Sequence, residues 1–446
     1  MTDLTAARFT MAFSLGFHII LAVIGMVMPF LMAIAHRVWL RFGTEDAYRL
    51  TRAWGRGVAI FFAVGAVSGT ALSFELGVLW PGFMLHAGPI IGMPFSLEGA
   101  AFFIEAIALG IYLYGWGRLP ARLHGWSGIC VGIAGVASGI LVVSANGWMN
   151  APTGFVWNDG APTDIDPLAA LLNPAWPTQA THMIFAAFAA VGFAVAGTHA
   201  FLLLRGNDDL MHRMALRIAL MVGTVFAVLQ LFQAHFTAQS VAERQPVKLA
   251  AMEALFRTTK GAPLLIGGIP DETAESVDFA LEIPGGLSFL AFEDFEAEVA
   301  GLDRVPKDER PPVLVVHLAF QTMVAIGGWM ALFGSVACFL MRWRPVRFEG
   351  RAVLTMLAMT TPLGFVAIEA GWIVTEVGRQ PWIIYGLMKT KDAVTPVPGQ
   401  VWHLGLFVFL YGVLGVTTAW MWLRQVRVAK QIDAPTEELQ RWAFSS

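Results

Sequence analysis

Charged residues are scarce in this chain of 446 residues: Asp, Glu, Lys and Arg make up 14%, whereas soluble proteins carry about 25%. The formal net charge of −3 provides no basic excess for binding a nucleic acid. The only two cysteines, Cys130 and Cys338, both lie in apolar stretches. Two such residues exclude a disulfide framework and a thiolate metal site, so we interpret them as packing residues. With 57% hydrophobic residues, the composition predicts an integral membrane protein.

Nine stretches are apolar over the roughly 20 residues that a helix needs to cross a bilayer, and none contains a lysine or an arginine. We predict an all-α membrane protein with spanning helices at residues 12–35, 58–80, 94–116, 126–145, 179–204, 218–238, 313–341, 353–377 and 401–423. Arginines follow the odd-numbered stretches, whereas the connections after the second and fourth contain no lysine or arginine. The positive-inside rule therefore predicts an outer N-terminus and a cytoplasmic C-terminus.

One connection is much longer than the others. Residues 239–312, between the sixth and seventh predicted helices, form a polar segment with charges of both signs. This topology places the segment on the outer face, within a single membrane domain that covers residues 1–446. The alternation in residues 247–257 predicts a short amphipathic helix.

Side chains that can bind haem iron lie at a similar depth in the outer half of the predicted helices. They are His18 in the first helix, His182 in the first turn of the fifth, Met323 in the seventh and Glu376 in the last turn of the eighth. Haem iron takes histidine, or histidine with methionine, as axial ligands. The alternative for each histidine is a hydrogen bond between helices, and most methionines in such a chain are packing residues.

Seven motifs together resemble those of subunit I of the cytochrome bd-type quinol oxidases, and the resemblance covers nearly the whole chain. The motifs are RFTMAFSLGFHII (8–20), SLEGAAFFIEAIALGIYLYGW (96–116), ANGWMNAP (145–152), THMIFAAF (181–188), KLAAMEA (248–254), HLAFQTMVAIG (317–327) and GWIVTEVGRQPW (371–382).

The resemblance implies a set of haem ligands. His182 and Met323 would hold a low-spin haem b, while His18 and Glu376 would hold two high-spin haems, either both b-type or one b and one d. Arg379 would lie beside these haems, and Trp372 belongs to the same motif as a supporting residue. Many family members have an arginine at the position of Gln321. This chain therefore lacks a cation near the low-spin haem, and the reduction potential of that haem should differ from that in those members.

The paired glutamates suit proton transfer. Glu98, in the first turn of the third predicted helix, and Glu105 are seven residues apart, which puts both on one face of a helix, roughly 10 Å apart along its axis. Carboxyls in a membrane helix are costly and mark proton relays, although two protonated groups bonded to neighbouring helices are the alternative. The resemblance adds Ser138 to the proton channel.

The resemblance also assigns Lys248 and Glu253 to quinol binding, where a carboxylate can accept a proton from a quinol hydroxyl. A solvated charged helix is the alternative for this segment. The short segment and Gln321 resemble the cyanide-insensitive branch of the family.

We therefore predict the haem-bearing subunit of a terminal quinol oxidase in the bacterial cytoplasmic (inner) membrane. Quinol would be oxidised at the outer face and O2 reduced to water, generating proton-motive force without pumping. The partners would be a multi-helix subunit II, the lipid bilayer and possibly a small single-helix subunit. Two alternatives remain: a b-type cytochrome that uses His182 and His199, and a haem-free proton-coupled transporter that uses Glu75, Glu98, Glu105 and Glu369.

Overall fold

The computed structural model describes residues 1–158, 160–429 and 432–444. Within these residues, nine helical segments are long and apolar enough to cross a membrane. The predicted all-helical membrane architecture with nine spans is therefore confirmed for the described part of the chain.

Antiparallel helix pairs make up the first half of the fold. Its elements are α1 (Asp3–Phe42), α2 (Glu45–Leu79), α3 (Pro81–Tyr114), α4 (Ala121–Asn150), β1 (Val156–Asn158), β2 (Ala161–Thr163), α5 (Pro167–Leu171), α6 (Trp176–Leu204) and α7 (Leu210–Arg244). Helix α1 packs on α2, α3 on α4, and α6 on α7. Strands β1 and β2 form a short antiparallel hairpin.

The long helices extend beyond their predicted apolar stretches, and in α3 and α4 the extension changes where residues of the candidate site motifs lie. Helix α3 begins at Pro81, because a proline is tolerated at the first helical position, and it continues through Pro89 and Pro94. Glu98 therefore lies in the middle of α3, and its predicted place in a first turn is wrong. Helix α4 continues to Asn150, beyond the predicted end at residue 145.

The segment between α7 and the next spanning helix is folded. Its elements are α8 (Pro246–Met252), β3 (Thr259–Lys260), β4 (Leu264–Asp271), β5 (Ser276–Ile283), α9 (Gly286–Phe292) and β6 (Glu298–Val299). Strands β4 and β5 form an antiparallel hairpin. Helix α8 is shorter than the predicted helix at 247–257, because the chain turns at Ala254, whose φ of 50° is left-handed.

The last part of the chain returns to spanning helices. Its elements are α10 (Val313–Trp343), α11 (Pro345–Phe348), α12 (Arg351–Thr360), α13 (Leu363–Val377), β7 (Trp382–Ile384), β8 (Met388–Lys389), α14 (Thr390–Ala393), α15 (Gln400–Ala429) and α16 (Glu437–Phe444). The eighth span, predicted as one helix, consists of α12 and α13, which Pro362 separates because proline lacks the backbone donor that a continuous helix requires.

Helix α6 lies in the centre of the described structure and is rich in small residues. A Cβ on Gly192 would lie 2.5 Å from Cα of Gly223 on α7, and a Cβ on Gly364 of α13 would lie 2.5 Å from Cα of Ala190. Small residues at helix crossings let backbones approach closely, as is common in membrane bundles. This packing fixes α7 and α13 against the helix that carries His182.

Candidate functional site

His18, on α1, is held by a serine of α2 in one tautomer. Its Nδ1 lies 2.9 Å from the Ser68 hydroxyl, which itself donates to the Gly65 carbonyl at 3.0 Å. Since that hydroxyl has a single proton, it accepts from the imidazole N–H at Nδ1. The lone pair of His18 is therefore on Nε2. Gly69 provides the space for this ring, because a Cβ there would lie 2.9 Å from His18 Cε1.

His182, on α6, has the same arrangement with a threonine of α7. Its Nδ1 lies 3.4 Å from the Thr237 hydroxyl, which donates to the Gln233 carbonyl at 3.1 Å. Nε2 of His182 thus also has a free lone pair. Metal-binding histidines usually donate their other N–H to a fixed acceptor in this way. Sequence reasoning did not identify Ser68 or Thr237, because each lies on another helix from the histidine it contacts.

A third histidine, His317 on α10, contacts backbone groups with both of its ring nitrogens. The two ring nitrogens of His317 lie 2.8 Å from the Met252 carbonyl and 3.0 Å from the Gly267 carbonyl. Both ring nitrogens therefore face backbone carbonyls, and neither is directed at a position where iron could bind. Its contacts join α10 to the segment between α7 and α10.

Met323 faces α13. A Cβ on Gly371 would lie 3.1 Å from Met323 Sδ, so the glycine keeps the thioether against the α13 backbone. Helices α6 and α10 both pack on α7 and on α13, which places the helices of His182 and Met323 around the same pair of neighbours. Trp372, next to Gly371, packs at the edge of the main apolar core.

Glu376, at the end of α13, is fixed from two sides. Its Oε2 accepts from Nη2 of Arg379 at 2.5 Å, and its Oε1 accepts from the side-chain amide of Asn146 on α4. Arg379 is 2% exposed, and its Nε and Nη1 have no hydrogen-bond partner among the described residues. Buried guanidinium donors without an acceptor are rare in proteins, and they indicate a position for an anionic group.

The predicted proton-relay residues lie between α3 and α4. Ser138 donates to Glu98 Oε1 at 2.8 Å, so the structure brings these two residues together. Glu105 is 8% exposed and lies opposite Gly135, whose added Cβ would be 3.4 Å from the Glu105 carboxyl. Both carboxyls therefore face α4.

Lys248 and Glu253 are buried, contrary to the alternative of a solvated charged helix. Lys248 is 4% exposed and donates to Asn150 Oδ1 at 2.8 Å. Burial, with a smaller effect of the nearby Arg379 cation, lowers the pKa of Lys248 well below its usual value, while Glu376 opposes the shift. Glu253 is 1% exposed, neither carboxyl oxygen has a partner among the described residues, and burial raises its pKa to about 8.

Gln321 contacts the β4–β5 hairpin. Its Nε2 donates to the Leu265 carbonyl and its Oε1 accepts from the Gly267 amide, each at 3.0 Å. Together with His317, Gln321 thus pairs one edge of β4 with α10.

Comparison with known proteins identifies the family. Residues 6–430 match the family described as cytochrome bd terminal oxidase subunit I. The chain belongs to this family. Binding haem and reducing O2 is the general role of cytochrome bd oxidases, in which subunit I works with subunit II in the bacterial cytoplasmic membrane. Membership favours the oxidase over the b-type cytochrome and transporter alternatives.

Individual relatives align with this chain over nearly their full length. The chain is 36% identical to the putative cytochrome bd menaquinol oxidase subunit I of Bacillus subtilis, across 96% of this chain and 97% of the relative. It is 27% identical to the cytochrome bd-II ubiquinol oxidase subunit 1 of Escherichia coli, across 97% and 98%. The solved structure of the bd oxidase from Geobacillus thermodenitrificans superposes with a TM-score of 0.91 at 38% identity, covering 96% of this chain and 98% of that one.

The donor set of this bd oxidase subunit fits haem. Two histidines present a free Nε2, Met323 provides a thioether, and Glu376 provides a carboxylate. The unpartnered N–H groups of Arg379 match the charge of a haem propionate. Imidazole and thioether together suit a low-spin haem, whereas a haem with one protein ligand has an open face.

Proposed function

We propose that this chain is the haem-bearing subunit that oxidises quinol and reduces O2 to water in a bd-type oxidase. His182 and Met323 are the ligands of a low-spin haem b, while His18 and Glu376 hold two high-spin haems, both b-type or one b and one d. The observation that carries this assignment is the repeated contact between a histidine Nδ1 and a hydroxyl that is already donating elsewhere.

The protein groups have distinct roles toward these cofactors. Bound haem supplies electron transfer and the site of O2 reduction. The Ser68 and Thr237 hydroxyls orient the two imidazoles, and the Gly69 and Gly371 positions provide room for His18 and Met323. The Arg379 guanidinium binds a propionate and holds the Glu376 carboxylate.

Quinol binds at the outer face, next to the segment at residues 239–312 of this single membrane domain. Lys248 is the hydrogen-bond donor to the quinol head group. Glu253 is the proton acceptor, and its pKa of about 8 places it close to a working pH near neutrality. Both groups are buried, so water competes little for them.

The arginine pattern supports an outer N-terminus and a cytoplasmic C-terminus. In this orientation, Glu98, Glu105 and Ser138 conduct protons toward the haem sites, while quinol protons leave on the outer side. The reaction then generates proton-motive force without pumping. A small single-helix subunit would complete the complex with subunit II.

The test is to express the chain with its subunit II and to record haem content, a reduced-minus-oxidised spectrum and quinol-driven O2 uptake. Haem b with a far-red chlorin band establishes haem d at the oxygen site. Haem b alone, with uptake that resists cyanide, establishes the cyanide-insensitive type. A complex without haem would refute the proposal.

A further inference from the structure

A hydrogen-bonded chain joins the quinol-site lysine to the carboxylate of Glu376. Lys248 Nζ donates to Asn150 Oδ1 at 2.8 Å, and Asn150 Nδ2 donates to Asn146 Oδ1 at 3.0 Å. The Asn146 amide in turn donates to Glu376 Oε1. The two asparagines come from the motif ANGWMNAP, for which the sequence offered no role.

The local structure explains why asparagines occupy these two positions. They are four residues apart in the last turns of α4, so their side chains are neighbours on one helix face. Asn150 is 2% exposed. The part of α4 beyond its apolar stretch therefore connects α8 to α13 through side-chain hydrogen bonds.

The bonding capacity of Asn150 is fully used. Its Oδ1 accepts from Lys248 and, at 3.1 Å, from Gln245 Nε2. Its Nδ2 donates to the carbonyl of Asn146 at 2.9 Å and to the Asn146 side chain. Two accepted and two donated bonds exhaust a carboxamide, so its orientation is fixed and neither Asp nor Leu can replace it.

The bonds of the chain all point the same way. Each amide accepts from the side of Lys248 and donates toward Glu376, so the amide dipoles are aligned. Aligned hydrogen bonds in a low-dielectric interior polarise one another. A change at Lys248 therefore alters how strongly Asn146 donates to the carboxylate.

We infer that Asn146 and Asn150 are positioning residues that couple occupancy of the quinol site to the haem ligand Glu376. The inference rests on the proposed function, since it takes Lys248 as the quinol contact and Glu376 as the ligand. A purely structural role, tying α8 to α4, would hold Lys248 in place without any effect of quinol on the Glu376 haem.

The experiment uses the complete complex with subunit II, kept anaerobic and reduced with dithionite, and a short-chain ubiquinol as the probe. Glu376→Ala identifies the absorption bands of the Glu376 haem. In the parental complex, quinol should cause a saturable shift of those bands. Asn150→Leu should remove the shift and, in separate aerobic turnover assays, raise KM for quinol roughly tenfold, because the hydrogen bond that positions Lys248 is lost.

Gln245→Leu is the matched control, since it removes a donor from the same Asn150 oxygen without interrupting the chain. It should lower thermal stability but keep the spectral shift. If Asn150→Leu does not assemble, Asn146→Ala interrupts the same chain at a less buried position. A shift that persists in either chain-breaking variant, or that is absent from a haem-loaded parental complex, overturns the coupling. A parental complex without haem bands refutes the proposed function instead, and the inference with it.

Discussion

The hydroxyl contacts of the two histidines lead to a quantitative prediction for Ser68→Ala and Thr237→Val. Each change removes the acceptor of an imidazole N–H. At Ser68 the bond is 2.9 Å long, so its loss should weaken haem binding by about 2 kcal/mol, or roughly thirtyfold. The 3.4 Å bond at Thr237 is near the limit of a hydrogen bond, so its loss should cost about 1 kcal/mol, or roughly fivefold.

The assay is the transfer of haem from the purified complex to apomyoglobin, together with the reduced-minus-oxidised spectrum. Ser68→Ala should release only the haem of His18, and Thr237→Val should broaden and weaken only the low-spin bands of the His182 haem. Thr198→Val is the matched control, because the Thr198 hydroxyl on α6 bonds to the Ala194 carbonyl and, within the described part of the chain, to no histidine. Unchanged transfer and spectra in both test variants would refute the tautomer argument.

Three further changes test other parts of the proposal. Met323→Leu should convert the low-spin haem to a high-spin form or release it and abolish quinol-driven turnover, whereas an unchanged spectrum would remove Met323 from the ligands. Since burial raises the pKa of Glu253 to about 8, its proton-accepting form grows as pH rises toward that value, so kcat/KM for quinol should increase up to about pH 8 and then level off. Glu253→Gln should abolish this dependence, and a profile identical to the parental one would contradict the role of Glu253. Gln321→Leu should speed amide exchange in the β4–β5 hairpin while haem content stays constant; unaltered exchange would show that Gln321 does not hold the hairpin.

The sequence predicted the spans well because a membrane-spanning helix can be identified from its hydropathy. Its errors at the ends of the spanning helices have a common cause: an apolar stretch marks the part of a helix within hydrocarbon, not its hydrogen-bonded length. Helix α3 therefore begins at Pro81 rather than at residue 94, and α4 reaches Asn150 rather than residue 145. The second error concealed the hydrogen-bonded pair Asn146 and Asn150, which lies in those added turns.

The candidate ligands could be proposed from motifs, but their surroundings could not. The pairs His18–Ser68 and His182–Thr237 each join two helices, and hydropathy gives no rotation of one helix against another. Serine and threonine are common in membrane helices for many reasons. Likewise, the polar character of residues 239–312 left a solvated charged helix as the alternative to quinol binding, whereas the structure buries both Lys248 and Glu253.

Gln321, at a position where many family members have arginine, shows how a side chain near a proposed cofactor site can also bond to a neighbouring hairpin. An arginine here would have only donors, so it could bond to the Leu265 carbonyl but not accept from the Gly267 amide. Glutamine does both, and a strand edge presents both kinds of group. The carboxamide therefore suits a segment whose β4–β5 hairpin lies along α10, two residues before Met323. If His182 and Met323 hold the low-spin haem as proposed, the position that lacks a cation near that haem is also the one that anchors the β4–β5 hairpin to α10. The reduction potential of the haem and the placement of the proposed quinol segment would then depend on the same residue.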